Sequence, residues 1–300
     1  MHRFYVMGLA LLSLFGFTST PLFANDTSQS ERRLEGVREI VALREAFPGT
    51  VEDIAFREGE WALRIGGEWF FWAEGRLLPQ DLRDQWSEFV SIRFYNYRTG
   101  PWQPRQIDPD LEQRLAQRTR NRRNDTRVRF NTFLDTLYGI SSQIEADRLM
   151  ERVTFLGMRT RVHPVVVEPL AGVEERIRRQ MMSNQRVRAF VGNLASLHGY
   201  HWRNIAGTQR RSYHAYGMAV DLMPRNWGGR WGYWQWAAAG GVSDWWNLAE
   251  DERYHPPQEV IDAFEAEGFV WGGKWLFFDP IHFEYRPEVL IMARSGQEAG

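Results

Sequence analysis

Two short stretches predict the functional half of this 300-residue chain: SYHAYGMAVD at residues 212–221 and DPIHFE at residues 279–284. Together they supply two histidines, His214 and His282, and the carboxylate of Asp221. Two imidazoles and one carboxylate are a ligand set typical of a zinc site that keeps a fourth coordination position open. The sequence therefore predicts a Zn²⁺ centre suited to metal-assisted hydrolysis.

The first stretch predicts a turn followed by a strand. His214 and Asp221 are seven positions apart, which is not the i, i+4 spacing of two ligands on one helical face. Gly217 supplies the backbone freedom that a turn requires. In a strand from residue 218 onward, Ala219 shares the face of Asp221 and leaves room for an ion.

The second stretch predicts a bend that carries an acid and a ligand. The Asp279-Pro280 pair precedes His282, so the bend can bring Asp279 close to the metal while His282 binds it. Asp279 is then placed to take a proton from water and return it to a leaving amine. Glu284 lies two residues beyond His282, and on a strand it becomes an acceptor for an imidazole N–H.

These residues resemble the signature of a known group of zinc peptidases. The group contains VanY-type D-alanyl-D-alanine carboxypeptidases, D-Ala-D-Ala dipeptidases and L-alanyl-D-glutamate endolysins, also called LAS-type metallopeptidases. Its Ser-x-His-x-x-Gly-x-Ala-x-Asp pattern is matched at residues 212–221, and its acid-x-x-His element at residues 279–282. The resemblance implies three zinc ligands, His214, Asp221 and His282.

The resemblance also implies roles for residues around the ligands. Asp279 takes the place of the general base. An upstream arginine in the family holds a substrate carboxylate or polarises the scissile carbonyl, and Arg203 in the segment YHWR is the nearest match. Arg210 and Arg211 are alternatives, with Arg211 also a candidate for substrate binding. Ser212 is implied to contact the substrate.

Composition limits the class of protein. The hydrophobic content of 43% supports a substantial core, and the formal net charge of −1 gives no indication of a nucleic-acid partner. The chain has no cysteine, which excludes disulfides and a lipid-anchor cysteine. Stability must therefore come from packing and from metal binding.

The first 24 residues resemble a secretory signal peptide. His2 and Arg3 provide a short basic start, residues 6–17 are mostly apolar, and Ala24 ends a plausible cleavage region. The sequence has no second apolar run of 18 residues, so no stable membrane span is expected after cleavage. We expect an exported protein, periplasmic or extracellular.

The expected fold class is α+β, with a small antiparallel sheet flanked by helices that carries the zinc site, as in LAS or hedgehog-like proteins. A smaller β-containing region precedes it. The predicted division is a signal peptide at 1–24, an N-terminal region with a β-hairpin at 25–100, a linker and helical segment at 101–149, the zinc peptidase domain at 150–292 and a tail at 293–300.

Hydrophobic periodicity predicts individual elements. Helices are expected near residues 34–41, 130–137, 170–181, 187–197 and 260–264, and strands at 61–65, 69–72, 162–167, 218–223, 275–278 and 282–285. Nine of the 14 tryptophans lie beyond residue 200. Those between the two metal-binding stretches predict either ordinary packing or a cleft wall for peptide or glycan.

The predicted function is hydrolysis of an amide bond in peptidoglycan stem peptides, by a carboxypeptidase or an endopeptidase with Zn²⁺ as cofactor. One alternative is a catalytically inactive wall-binding protein on the same fold, whose metal is structural and held by a fourth ligand such as His201 or Glu284. Another is a different zinc amide hydrolase, such as an N-acetylmuramyl amidase. The remaining histidines, His163, His198, His201 and His255, are interpreted as structural or exposed.

Overall fold

A computed structural model describes residues 35–298, except residues 93, 105–106 and 122–126. The predicted signal peptide at 1–24 lies outside the described residues. Within the described part of the chain, no helix combines the length and the apolar character needed to cross a membrane.

The N-terminal region is a helix and a four-stranded antiparallel meander rather than a single hairpin. The expected hairpin is formed by the second and third strands, which Gly66-Gly67 joins, and both glycines have positive φ angles, as a tight hairpin turn requires. Leu63 and Phe70 on these strands face the main core. The elements are α1 (Val37–Ala46), β1 (Asp53–Arg57), β2 (Glu60–Ile65), β3 (Glu68–Ala73) and β4 (Arg76–Leu78).

The segment that follows contains short helices and one parallel strand pair. A 3-10 helix covers the outer face of the meander, where Arg83 lies over the ring of Phe71. The predicted apolar stripe at residues 130–137 coincides with a helix that buries Phe133 and Leu137. The elements are the 3-10 helix Gln80–Glu88, β5 (Phe89–Val90), α2 (Pro109–Asn121), β6 (Val128–Arg129), α3 (Asn131–Tyr138) and α4 (Gln143–Leu149).

The C-terminal half contains a small antiparallel sheet between helices, as predicted. Its strand order is β11-β12-β10-β9, with every neighbouring pair antiparallel. The elements are β7 (Glu151–Phe155), β8 (Met158–Val162), α5 (Pro164–Ser183), α6 (Gln185–Gly192), β9 (Leu194–His198), β10 (Ala219–Pro224), α7 (Trp234–Ala239), α8 (Gln258–Ala266), β11 (Phe269–Trp271), β12 (His282–Tyr285) and α9 (Pro287–Glu298).

The predicted strand at residues 162–167 is wrong beyond Val162. A helix begins at Pro164, because proline is favoured in the first turn and His163 caps the helix end. The His163 Nδ1 atom accepts a hydrogen bond from the Val165 amide at 3.1 Å. The valine-rich run is therefore the first turn of a helix whose packing, rather than β propensity, decides its conformation.

Two further predictions are corrected. The helix expected at 187–197 ends at Gly192, and Leu194–His198 forms an edge strand in which Leu197 pairs with Leu222. Residues 275–278 form no strand. They follow a 3-10 turn, and the Asp279 amide bonds the carbonyl of Gly272, which closes a loop that buries Phe278.

One hydrophobic core joins the N-terminal and C-terminal halves. It contains Ile40, Phe70 and Phe133 together with Phe155 and Phe264, all at most 1% exposed. The rings of Phe70 and Phe133 meet edge to face at 5.5 Å. Helix α9 runs to residue 298 and packs against α1, so the predicted boundary between residues 292 and 293 falls inside a helix.

Candidate metal centre

The turn expected at Gly217 exists and places His214. Residues Tyr213–Tyr216 form a 3-10 helix, and the Ser212 hydroxyl caps it by accepting the His214 amide at 3.3 Å. Gly217 has φ 65°, and a Cβ there would come within 2.3 Å of the Met150 sulfur. Only glycine fits this position, both for its backbone angle and for space.

The three predicted ligand side chains converge. The His214 Nε2 atom is 3.2 Å from Asp221 Oδ1 and 3.2 Å from His282 Nδ1, and His282 Nδ1 is 2.8 Å from Asp221 Oδ1. Asp221 and His282 are opposite each other on neighbouring strands β10 and β12. The register of these strands therefore brings together ligands that are 61 residues apart.

In each imidazole, the nitrogen that points away from the other two ligand side chains lies beside a hydrogen-bond acceptor. His214 Nδ1 lies 2.7 Å from the Gly199 carbonyl, which can only accept, so Nδ1 carries the proton and Nε2 keeps its lone pair. His282 Nε2 lies 3.4 Å from Glu284 Oε2, so Nδ1 is the nitrogen that offers a lone pair when the ring is neutral. Both tautomers thus direct a lone pair at the shared point, an arrangement typical of metal-binding histidines.

The donor set fits Zn²⁺. A tetrahedral zinc site with bonds of about 2.0–2.1 Å separates its ligand atoms by about 3.3 Å. The three observed separations of 2.8–3.2 Å are close to that spacing. Within the described residues, no fourth histidine, aspartate or glutamate joins the cluster. The residues therefore provide three protein ligands, which is the number found in catalytic rather than structural zinc sites.

A chain of buried charged residues contacts His282 on its Nε2 side. Glu284 accepts from His282 and also from Arg286 at 3.3 Å, and Arg286 pairs in turn with Glu288. All three charged residues are at most 6% exposed. Burial alone would raise the pKa of Glu284, but the His282 hydrogen bond and the Arg286 charge lower it. Glu284 is therefore held as a carboxylate against the imidazole.

Asp221 and Asp279 have opposite electrostatic environments. Burial raises the pKa of a carboxyl group, but at Asp221 the two imidazoles outweigh this effect and lower its pKa. At Asp279 burial dominates and raises the pKa, although the charges of His282 and Arg203 act against it. The Asp279 Oδ1 atom is buried and has no hydrogen-bond partner. Asp279 is thus beside the ligands but outside the ligand cluster.

A cleft of about 310 Å³ opens onto His214 and Asp221. Its lining includes Gly199 and Thr160 of the β7–β8 hairpin. Arg203 lines this cleft and is exposed. The positive charge of Arg203 also acts to lower the pKa of Asp279, against the larger effect of burial.

The other predicted substrate contacts are placed differently. Arg211 is absent from the cleft lining; its guanidinium is paired with Asp135, bonded to the Tyr216 hydroxyl at 3.2 Å and stacked over Trp202 at 4.5 Å. Ser212 is 5% exposed, and its hydroxyl caps the turn that carries His214. Both side chains fix the metal-binding turn in place.

Sequence reasoning missed Asp135, which is 79 positions before His214. Its carboxylate accepts from Arg211 and from the Tyr216 hydroxyl at 2.7 Å. No motif or spacing marks this residue, since helix α3 reaches the metal-binding turn only through the shared core. Burial raises the pKa of Asp135, while Tyr216 and Arg211 counteract the effect.

The tryptophans between the two metal-binding stretches mostly pack together. Trp234, Trp245 and Trp246 are 4%, 1% and 8% exposed and form a separate core with Phe278 and with Leu115 of α2. None of these residues lines the cleft beside the ligands. Of the two predicted interpretations, ordinary packing is therefore the one that matches the structure.

Comparison with known protein families gives two matches. Residues 206–285 match the family described as D-alanyl-D-alanine carboxypeptidase. Residues 39–94 match a domain of unknown function (DUF8518). No curated protein and no solved structure gave a match.

The first match covers both metal-binding stretches in full and includes His214, Asp221 and His282. It confirms the predicted resemblance to the VanY-type family for this segment. At the level of class, the segment is similar to carboxypeptidase-type peptidases.

Proposed function

We propose that this protein is an exported zinc peptidase that hydrolyses an amide bond in peptidoglycan stem peptides. One observation carries the proposal: three lone-pair atoms of His214, Asp221 and His282 lie within 3.2 Å of one another inside a segment that matches the carboxypeptidase family. The absence of a fourth His, Cys, Asp or Glu ligand among the described residues favours a catalytic site over a structural one.

Zn²⁺ in such a site supplies Lewis acidity, which polarises a carbonyl group and makes water a stronger acid. Asp279 holds the proton removed from the attacking water and delivers it to the leaving amine. Its buried, unpartnered Oδ1 and its raised pKa suit a group that must accept a proton and then release it. Arg203, at the cleft, orients an anionic group of the substrate.

The test is mass spectrometry of purified muropeptides before and after incubation with the protein. A carboxypeptidase removes a terminal alanine, an endopeptidase cuts within a stem peptide or its crosslink, and an amidase releases the peptide from the glycan. We expect one of the first two products, and we expect a zinc chelator to abolish it and added Zn²⁺ to restore it.

A matched inactive control is His214→Ala, which removes one ligand and should lose both bound metal and product. A folded, zinc-loaded wild-type protein that leaves every stem-peptide linkage intact would defeat the proposal and favour the wall-binding alternative. Exclusive release of peptide from glycan would instead indicate the amidase. Export is tested separately, by sequencing the N-terminus of the protein recovered from the cell envelope.

A further inference from the structure

A stretch of extended chain attaches the N-terminal half to the C-terminal half close to the metal ligands. We call residues 94–100 the strap. Tyr97 of the strap is 3% exposed, donates its hydroxyl to Glu265 and accepts the Trp271 amide at 3.0 Å. The Gly100 amide bonds the same Glu265 at 3.2 Å. The strap is therefore fastened to helix α8 and strand β11 along its length.

Tyr95 of the strap makes a contact that leads to the metal site. Its hydroxyl accepts the indole N–H of Trp275 at 2.7 Å, and the two rings meet edge to face at 6.4 Å. The Trp275 ring lies 5.3 Å from the His282 imidazole, tilted by 52°. A single hydrogen bond from the strap thus fixes the indole that packs on a metal ligand.

Ring packing adds to the polar contacts that hold His282. Glu284 fixes the tautomer through Nε2, and the ligand cluster fixes the direction of Nδ1. The Cβ–Cγ bond, these two contacts and the side chains packed against the ring together set the plane of the imidazole. His214 meets the ring edge to face at 5.0 Å, and Trp275 provides another neighbouring ring.

We propose that Tyr95 is a positioning residue for the metal site: through its hydrogen bond to Trp275, the strap holds the His282 imidazole in the plane in which it binds the metal. This inference deepens the proposed function and rests on it for the identity of the site. The match to the domain of unknown function ends at residue 94, where the strap begins. The inference therefore also gives the N-terminal half of the chain a role, which is to support the metal site.

The strap offers a matched pair of substitutions. Tyr95→Phe removes the hydroxyl that receives the Trp275 N–H and leaves the ring packing in place. Tyr97→Phe removes a hydroxyl from the same strap that bonds Glu265 and Trp271 but does not reach His282. If Tyr97→Phe folds poorly, Lys274→Met is the second control, because Lys274 fastens the strap to Glu265 without touching the imidazole.

Two measurements are made on each variant: Zn²⁺ affinity by competition with a chromophoric chelator, and the His282 imidazole resonances of the metal-free protein by NMR. We expect Tyr95→Phe to weaken Zn²⁺ binding about 5-fold, the size of one lost neutral hydrogen bond, and to shift the imidazole resonances. Tyr97→Phe should lower the melting temperature more and leave both readouts close to wild type.

A double-mutant cycle with Trp275→Phe completes the test. If the path runs through the indole N–H, Tyr95→Phe has no further effect on either readout once Trp275 is phenylalanine. Equal effects of Tyr95→Phe and Tyr97→Phe on affinity and on the resonances, or full additivity in the cycle, would overturn the inference. A wild-type protein without Zn²⁺ affinity would refute the proposed function instead, and the imidazole resonances would still decide the role of the strap.

Discussion

Asp221 and Asp279 show how environment separates two identical side chains. Asp221 lies between two imidazoles that lower its pKa and keep it ionised. Asp279 has a buried oxygen without a partner, and burial raises its pKa. When the environments of two acidic groups in one site separate their pKa values, the two groups commonly have different chemical roles. These are the two environments that the proposed function requires of a metal ligand and of a proton carrier.

Asp279→Asn should separate metal binding from turnover. The amide is similar in size but cannot accept the proton, so we expect about 10²–10⁴-fold lower kcat on a muropeptide substrate. Zn²⁺ content should remain near one ion per chain, because Asp279 is outside the ligand cluster. Turnover retained within a few-fold of wild type would remove Asp279 from the role of base.

Glu284→Gln should weaken metal binding without removing a ligand. The substitution takes away the negative charge that accepts from His282, and partners of metal-binding histidines typically contribute about 10–100-fold in affinity. Glu288→Gln is the matched control, because Glu288 pairs with the same Arg286 and does not contact His282. Both variants should lose stability, but chelator competition should detect the loss of Zn²⁺ affinity only in Glu284→Gln.

His255 should make stability depend on pH. Burial, followed by the charges of Arg253 and Arg230, lowers the pKa of His255 from 6.5 to about 4. Between about pH 6.5 and pH 4, the unfolded chain is protonated at His255 and the folded chain is not. The contribution of His255 to the free energy of unfolding is therefore complete above about pH 6.5 and is lost as the pH falls toward 4. In His255→Gln, urea unfolding followed from pH 7 to 5 should show a shallower decline. An unchanged slope would contradict this assignment.

The turn between the 3-10 helix Tyr213–Tyr216 and β10 is the element on which the site depends. Its glycine carbonyl accepts the His163 amide at 3.0 Å, and its capping serine is buried. Neighbouring backbone and the Met150 sulfur leave no room for a side chain at Gly217. The element therefore fixes His214 through backbone geometry and not through the histidine's own contacts alone.

Gly217→Ala should reduce the free energy of unfolding by about 3 kcal/mol, from the strained positive φ and the overlap with its neighbours. Gly192→Ala is the matched control: that glycine ends helix α6, and an added Cβ there has no atom within 4 Å beyond its chain neighbours and its own helix backbone. Alanine there should leave stability unchanged or slightly raised. Urea unfolding of both variants measures the difference, and equal stabilities would contradict the argument.

At the scale of the whole molecule, the halves share a core and a site. Ile40, Phe70 and Phe133 pack with residues of the C-terminal half, and Asp135 holds the arginine beside the metal-binding turn. A core shared between the two halves couples their unfolding, because neither half buries its apolar surface without the other. The N-terminal half is therefore part of the structure on which the metal site depends.

We expect thermal unfolding of the full chain to be a single transition, with tryptophan fluorescence and far-UV circular dichroism giving the same midpoint. Residues 150–300 produced alone should lack a cooperative transition, because their core is uncovered. A stable, zinc-binding fragment of residues 150–300, or two separate transitions in the full chain, would show that the halves are independent.

The sequence by itself determined the parts of this protein whose chemistry is local. The turn at Gly217 needs glycine, and the hairpin at Gly66-Gly67 needs two positive φ angles. The order of ligand types in residues 212–221 and 279–284 was enough to predict which side chains would meet. The backbone conformation of a turn and the ligand preference of a metal each involve only a few residues. A short sequence pattern can therefore reveal both.

Only the tertiary structure decided the rest. The conformation of residues 162–167 and 194–198 depended on capping and on sheet pairing, which override local propensity. The positions of Arg211, Asp135 and Tyr95 depended on a core built from both halves of the chain. Contacts between residues far apart in sequence arise from packing of the complete fold, and no local pattern encodes them.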